Sequence, residues 1–389
     1  MIYVHIPFCR SFCTYCDFYS EIAGRSCLHG DGLKTFEEAL VKEVELRKDD
    51  IRGSLTATDS VCTLYIGGGT PSVLPLSVFR SLLDALEKIG AGGVFEEFTV
   101  EVNPDDIVEK GPAYVEGLLE LGVNRISMGV QSFDDGILKW MNRRHDGASA
   151  VRAYRILEDA GVDNISIDLI FGFPQLTDSL WTETLERVLA ISSKGILPSH
   201  ISSYQLSVEP GSALAALMRK GGWKEASEEQ CSRQYEILCN ILNSSGYRHY
   251  EISNFALPGR EAVHNSAYWS HRPYVGIGPG AHSLAKGDSY VRSWNEPDLR
   301  RYVSALKEGA PGDVQGREVL DDEQIAMERI MLGLRTSDGV EEEFLSRFCG
   351  EGKVAQALKS GNLKRIPEKR FRIPEDRFFV SDDIISSLV

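Results

Sequence analysis

Two periods alternate along the first two hundred residues of the chain. Period two marks residues 2–6, where Ile2, Val4 and Ile6 oppose Tyr3 and His5, and residues 97–102, where Phe98, Val100 and Val102 oppose Thr99 and Glu101. It recurs with Ile126, Met128 and Val130 against Ser127, Gly129 and Gln131, and with Ile165, Ile167, Leu169 and Phe171 against Ser166 and Asp168. Helical spacing appears first in Leu33, Phe36, Leu40 and Val44. These patterns predict strands at 2–6, 60–66, 97–102, 124–130, 164–171 and 200–206, with helices at 76–88, 113–121, 148–160 and 180–193 between them. About six βα units in succession specify an α/β fold, a parallel sheet with crossover helices.

The alternation says more. Parallel strands covered on both faces read as continuous apolar runs, yet these strands carry a polar face. That face needs water or a ligand, because burying Asp168 or Glu101 unpaired costs several kcal/mol. The expectation is a curved sheet around a wide, ligand-filled cavity. A closed eight-unit barrel fills its lumen with side chains; six units leave it splayed. Further on, Cys231, Tyr235, Leu238, Cys239 and Leu242 share one helical face within 224–245, so Cys231 and Cys239 read as buried core thiols. Cys62, inside a predicted strand, reads the same way. Residues 247–256 suggest another strand, and 257–295 a loop-rich stretch. After a break at Gly309-Ala-Pro-Gly312 come helical runs at 323–334 and 341–347 and short basic strand-like pieces at 363–373.

Composition narrows the function. A net charge of -15 over 389 residues opposes binding to nucleic acid, which runs on phosphate neutralisation. No stretch reaches the ~18 apolar residues that a membrane-spanning helix needs. The first residues are already strand and loop, leaving no room for a signal peptide. Eight cysteines in such a chain suit a reducing cytoplasm.

The chemistry begins right after the first strand. Pro7 cannot donate to a ladder and should end it, so Cys9-Arg-Ser-Phe-Cys13-Thr-Tyr-Cys16 forms its exit loop. Three thiols spaced C-x3-C-x2-C cannot pair within so tight a loop without strain, and one would be left over. Structural zinc is usually closed by four ligands, and no second cysteine pair exists; Cys27, Cys62, Cys231, Cys239 and Cys349 are scattered singly. A 4Fe-4S cluster is normally held by four thiolates. Three would leave one iron open to an exogenous chelate, with Phe12 and Tyr15 between the cysteines to shield the cluster. Free surface thiols and an incidental zinc site are the plainer alternatives.

The N-terminal run Tyr3-x-His-Ile-Pro-Phe-Cys9-x3-Cys13-x2-Cys16 resembles radical S-adenosylmethionine (SAM) proteins of the coproporphyrinogen-oxidase-like group. Matches along essentially the whole chain point to its HemW-type heme-chaperone branch. The resemblance implies a partial (β/α)6 radical SAM barrel with a smaller C-terminal α/β domain of winged-helix-like form. It places the core at 1–225, a barrel extension and connecting region at 226–310 and a C-terminal domain at 311–389. It also implies a 4Fe-4S cluster on Cys9, Cys13 and Cys16. For SAM, Gly67-Gly68-Gly69-Thr70-Pro71 follows the second strand, where glycines let backbone approach a ligand. Beside the cysteines this motif reads as the cradle of the SAM amino group, involving Gly68, Gly69 and Thr70. Glu101 can take both ribose hydroxyls, as carboxylates do in dinucleotide folds. Gln131, Arg143 and Asp168 match SAM-contacting positions by motif, Arg143 as a bidentate carboxylate clamp, and Tyr3 and Tyr15 complete the set. His5 reads as a structural imidazole.

The hexapeptide His264-Asn-Ser-Ala-Tyr268-Trp269 matches the HNxxYW motif that the branch associates with heme. A histidine beside two large aromatics can ligate heme iron, and His271 and His282 are candidates for a second ligand. The implied function is a cytoplasmic heme chaperone with cluster and SAM, reaching the membrane only through an acceptor such as a respiratory cytochrome. The alternatives are an oxygen-independent coproporphyrinogen III oxidase and a radical SAM enzyme with another substrate. The oxidase pattern continues to a fourth cysteine, where this chain has Asp17-Phe18, and carries an N-terminal extension expected to be missing here.

Overall fold

The structure, a computed structural model, describes residues 1–23, 32–56 and 61–389. Cys27 and the start of the strand expected at residue 60 lie outside them. Strands β1 (Ile2–Ile6), β2 (Thr63–Gly68), β3 (Glu97–Val102), β4 (Arg125–Gln131), β5 (Ile165–Phe171) and β6 (His200–Gln205) lie side by side in chain order, all parallel. Crossovers run through helices α1 (Gly32–Leu46), α2 (Leu76–Lys88), α3 (Pro112–Glu120), α4 (Gly147–Asp159) and α5 (Asp178–Leu189). Beyond β6 the hairpin β7 (Arg248–Glu251) and β8 (Asn254–Ala256) adds antiparallel strands through β8, and β9 (Val275–Ile277) joins β1 in parallel at the other edge. The nine-stranded order is β9-β1-β2-β3-β4-β5-β6-β8-β7, and among the described residues its two ends do not meet. The barrel is therefore open.

Alternation in the strands becomes an inside and an outside. Ile2, Val4, Phe98, Val100, Ile126, Met128, Ile165 and Ile167 are all buried in the core. At roughly 25 cal/mol per Å2 of apolar area removed from water, this layer drives the helices onto the sheet. The opposite face carries Tyr65, Glu101, Ser127 and Asp168 into the open interior.

Several elements escaped the pattern. The stretch 257–295 is not loop-rich but contains α7 (Val263–Trp269), β9, β10 (His282–Lys286) and β11 (Tyr290–Asn295), with α6 (Glu228–Ser244) ahead of it. β9 is buried but only three residues long, and β10 and β11 are largely half-exposed or exposed, so none shows an apolar period; β10 and β11 pair with β12 (Gln315–Leu320) in a separate antiparallel sheet. Short helices such as Pro104–Lys110 and Ala213–Arg219 were also missed, being only seven residues each. Cys62 corrects the reading outright: it precedes β2, whose ladder starts at Thr63, and is exposed. Cys231 is buried, while Cys239 is only half-buried, its Sγ 3.9 Å from Nδ1 of His249. The chain ends in helices α8 (Asp322–Leu334), α9 (Glu342–Cys349), α10 (Glu351–Lys359) and α11 (Ser381–Leu388) around a three-stranded antiparallel sheet of β13 (Val340–Glu341), β14 (Lys364–Ile366) and β15 (Arg370–Arg372). No helix among the described residues is long and apolar enough to cross a membrane.

One buried carboxylate fastens the late edge strand to the first helix. Glu43 of α1 is 1% exposed and accepts from the Gly278 N–H at 2.8 Å, Asn295 Nδ2 at 2.8 Å and the Tyr302 hydroxyl at 2.6 Å. Arg47 pairs with it at 3.3 Å and donates to the Gly276 carbonyl at 2.6 Å. Gly278 is held at φ +99°, and a Cβ there would lie 2.4 Å from the His5 carbonyl oxygen, so glycine is required. Breaking a buried ion pair on one side leaves an uncompensated charge. Glu43→Ala should therefore cost about 3–5 kcal/mol in denaturant unfolding, and Tyr302→Phe about 1 kcal/mol; equal small losses would show that the carboxylate does not fasten this edge.

Candidate functional site

Where β1 ends at Pro7, Phe8–Cys9 pairs in parallel with Glu21–Ile22 and closes the neck of the cysteine loop. The loop is tied down on both sides. Asn142 Nδ2 donates to the Phe12 carbonyl at 2.7 Å, Thr14 N to the Met141 carbonyl at 3.2 Å, and Leu214 N to the Thr14 carbonyl at 2.8 Å. Cys9, Cys13 and Cys16 are half-buried, and burial pushes the Cys16 thiol up to about 11. Tyr15 packs against the core, whereas Phe12 is 52% exposed and so does not shield the thiols as expected. Arg143 Nη1 lies 3.5 Å from Cys13 Sγ, and Thr70 Oγ1 lies 3.5 Å from Cys9 Sγ. No three His, Cys, Asp or Glu side chains among the described residues converge on a single metal ion. A cubane makes a different demand, since each thiolate takes a separate iron, and a loop presenting three spread thiols fits it.

The thiols open into a cavity of about 1210 Å3 that runs down the barrel interior. Its wall includes Tyr15, Gly68, Gly69, Thr70, Glu101, Gln131, Arg143 and Asp168. These sit at or near the C-terminal ends of β2 to β5, where ligands of open parallel sheets bind. Tyr3 is not part of that wall: its hydroxyl is 3.0 Å from His5 Nδ1, while His5 Nε2 meets the Tyr19 carbonyl at 2.8 Å. His5 is a structural imidazole.

The glycine run also has a cause within the chain. A Cβ on Gly67 would lie 2.8 Å from Glu101 Oε1, one on Gly68 2.6 Å from the His5 ring, and one on Gly69 2.7 Å from the Phe8 carbonyl oxygen. The protein's own groups fill the space, so this backbone must be glycine with or without a ligand. The Gly68 N–H donates to Glu101 Oε2 at 3.1 Å, and the Tyr65 hydroxyl donates to Oε1 at 2.7 Å. Asp168 accepts from Ser127 at 3.1 Å to each oxygen and from Ser166 at 3.3 Å. Arg143 Nη2 donates to Asn103 Oδ1 at 2.6 Å and to the Gly129 carbonyl at 2.5 Å, leaving its buried Nε without a partner. Gln131 ends β4 with φ 67°, a left-handed conformation costing on the order of 1 kcal/mol that is typical of binding sites.

The hexapeptide lies behind the barrel floor. His264 is fully buried, with Nδ1 2.8 Å from the Thr63 hydroxyl and Nε2 3.0 Å from the Tyr268 hydroxyl. Burial pushes its imidazole down to about 3, so it is neutral. Asn265 faces the large cavity, whereas Trp269 and His271 line a second one of about 830 Å3 toward the C-terminal domain. Helix α7 thus separates two cavities. His271 Nε2 meets Glu328 at 2.9 Å, and His282 stacks on Trp294 and is exposed.

A model of the radical SAM superfamily matches residues 3–188. The heme chaperone HemW of Lactococcus lactis subsp. lactis is 35% identical over 398 aligned positions, covering 98% of this chain and 97% of the relative. That of Bacillus subtilis is 33% identical over 370, covering 94% and 91%. The chain belongs to the HemW-type branch of the radical SAM superfamily. Its fold is also that of the Escherichia coli coproporphyrinogen III oxidase HemN, a radical SAM enzyme, with a TM-score of 0.79 at 22% identity over 100% of this chain and 89% of that one.

Arg125 was missed by sequence reasoning. It shares the parity of Ser127, Gly129 and Gln131 and so points into the barrel, a signal that lay in the same alternation. It is 1% exposed, lines the large cavity, and among the described residues has no hydrogen-bond partner for Nε or Nη1.

Burial pushes the Glu101 carboxyl up to about 7, against the hydrogen bond from Tyr65, and that of Asp168 up to about 6, against Arg125. For an acid raised in the folded state, the stabilising contribution is present below its ordinary range near 4.5 and is lost as pH rises through about 7. In cofactor-free protein, the stability gap between Glu101→Gln and wild type should widen in favour of the variant by on the order of 2 kcal/mol from about pH 4.5 to about pH 8. A pH-independent gap in chemical unfolding would refute this.

Proposed function

We propose that this chain is a heme chaperone: it holds a 4Fe-4S cluster on Cys9, Cys13 and Cys16, binds SAM beside it, and carries heme to an acceptor protein. The observation that supports this most is one cavity shared by the three thiols, the polar layer of Glu101 and Asp168, and Asn265 of the HNxxYW helix. When bound, the cluster and SAM would supply one-electron chemistry. The chain's own contribution is positional. The anchored loop presents three cysteines, Arg143 donates to the sulfur of Cys13, and Glu101 and Asp168 offer acceptors to ribose hydroxyls. Tyr15, Gly68, Gly69, Thr70 and Gln131 shape the wall around SAM. The proposed setting is the cytoplasm, with contact to the membrane through an acceptor such as a respiratory cytochrome. Reconstituted protein should lose its iron–sulfur absorbance on substitution of Cys9, Cys13 or Cys16 by Ser but keep it in Cys231→Ser; equal loss in the last would remove the loop as the cluster site.

For heme, His264, Tyr268 and Trp269 are the proposed contacts. Ligation of iron by His264 Nε2 requires the Tyr268 hydroxyl to give up its hydrogen bond, a net cost of about 1 kcal/mol. Tyr268→Phe removes that competition. Soret titrations should therefore show heme binding weakened about tenfold or more by His264→Ala and unchanged or tightened by Tyr268→Phe. Weakening by both alike would mark the pair as packing and not as ligands.

A further inference from the structure

We propose that Arg125 anchors a carboxylate of a second ligand, distinct from SAM, in the lower part of the barrel cavity. The case rests on where the guanidinium is and on what fails to satisfy it. Arg125 opens β4, level with Thr99 of β3. Its nearest carboxylate, Glu97, is 4.0 Å away and is already held by the backbone N–H groups of Val263 at 2.8 Å and His264 at 3.0 Å. Asp168 is held by serine hydroxyls. Among the described residues Nε and Nη1 of Arg125 have no hydrogen-bond partner, only the loose ion pair with Glu97, and the buried hydroxyl of Thr99 beside them has none either. An unsatisfied buried donor costs about 1–3 kcal/mol, more when charged, so such a group in a folded protein calls for an occupant. A planar guanidinium matches a carboxylate bidentately.

The geometry also decides which ligand is meant. Arg125 and Gln131 stand six residues apart on one strand, roughly 20 Å between their backbones at ~3.3 Å per residue. On the function proposed above, the SAM carboxylate is engaged at the open iron beside the cysteines, at the rim. The carboxylate at the floor must come from another molecule. Tyr65 stands level with Arg125, both opposite Thr99, and Tyr204 stands higher, level with Ile170 of β5; with Asn265 they give the wall two aromatic rings and an amide, which suit a flat apolar body carrying an acid. Resting on the heme-cargo reading, that acid is a porphyrin propionate. It would bring an edge of the porphyrin against Asn265, on the side of the HNxxYW helix opposite Trp269, which faces the second cavity, and Glu97 ties Arg125 to the start of the same helix.

The test uses the cluster-reconstituted full chain, with hemin and hemin dimethyl ester as probes and SAM binding as the control. Wild type should bind the free acid about tenfold or more tightly than the ester. Arg125→Met should lose that preference, Arg125→Lys should keep part of it, and the SAM-induced change in the cluster spectrum should persist in both. Equal affinity of wild type for acid and ester overturns the proposal without any variant having to fold. Parallel loss of SAM and hemin binding in Arg125→Lys overturns it too, by making the residue a structural support. Failure of wild type to bind hemin at all would instead bring down the heme-cargo reading, and the propionate assignment with it.

Discussion

A charged and polar face turned inward on a parallel sheet is the constraint on which the rest of this structure depends. Arg125, Glu97, Glu101 and Asp168 all project to one side of β3, β4 and β5. No helix can cover such a face without stranding charges in a medium of low dielectric. The sheet answers by staying open: nine strands curve around a cavity, and the polar groups satisfy one another through Tyr65, Ser127, Ser166 and the Gly68 backbone. Burial in this setting pushes the carboxyls of Glu101 and Asp168 upward.

Rigidity at the rim follows from the same logic. Three thiols on a mobile loop would hold a cluster poorly, because a site must be organised before the ligand arrives. Here the loop is pinned to Met141, Asn142 and Leu214, residues remote in sequence, and the glycines of β2 are dictated by His5, Phe8 and Glu101 crowding around them. Edge strand β9 is in turn locked to α1 by Glu43. The cluster end of the barrel is thus built by parts of the chain up to two hundred residues away.

Helix α7 gives the cavity its floor and separates it from the space next to the C-terminal domain. Its histidine looks inward, neutral and hydrogen-bonded at both nitrogens. That arrangement makes the hexapeptide part of the barrel's own interior and links what happens at Arg125, through Glu97, to the start of the helix.

The sequence by itself determined the parallel βα succession, the inner and outer faces of the strands, and the three-thiol loop after Pro7, because period and spacing are local properties. It misjudged Cys62, which belongs to no ladder, and the stretch 257–295, whose strands are either too short or too exposed to carry a period. It assigned the glycines to a ligand and could not show that Glu101, His5 and the Phe8 backbone crowd them. Tertiary structure alone decided that Tyr3 turns to His5, that Arg143 is already bonded to Asn103 and Gly129, that His264 is enclosed, and that Nε and Nη1 of Arg125 find no hydrogen-bond partner among the described residues. Those outcomes depend on which groups meet across the barrel, and a hydrogen bond between residues two hundred positions apart leaves no mark on the pattern of either segment.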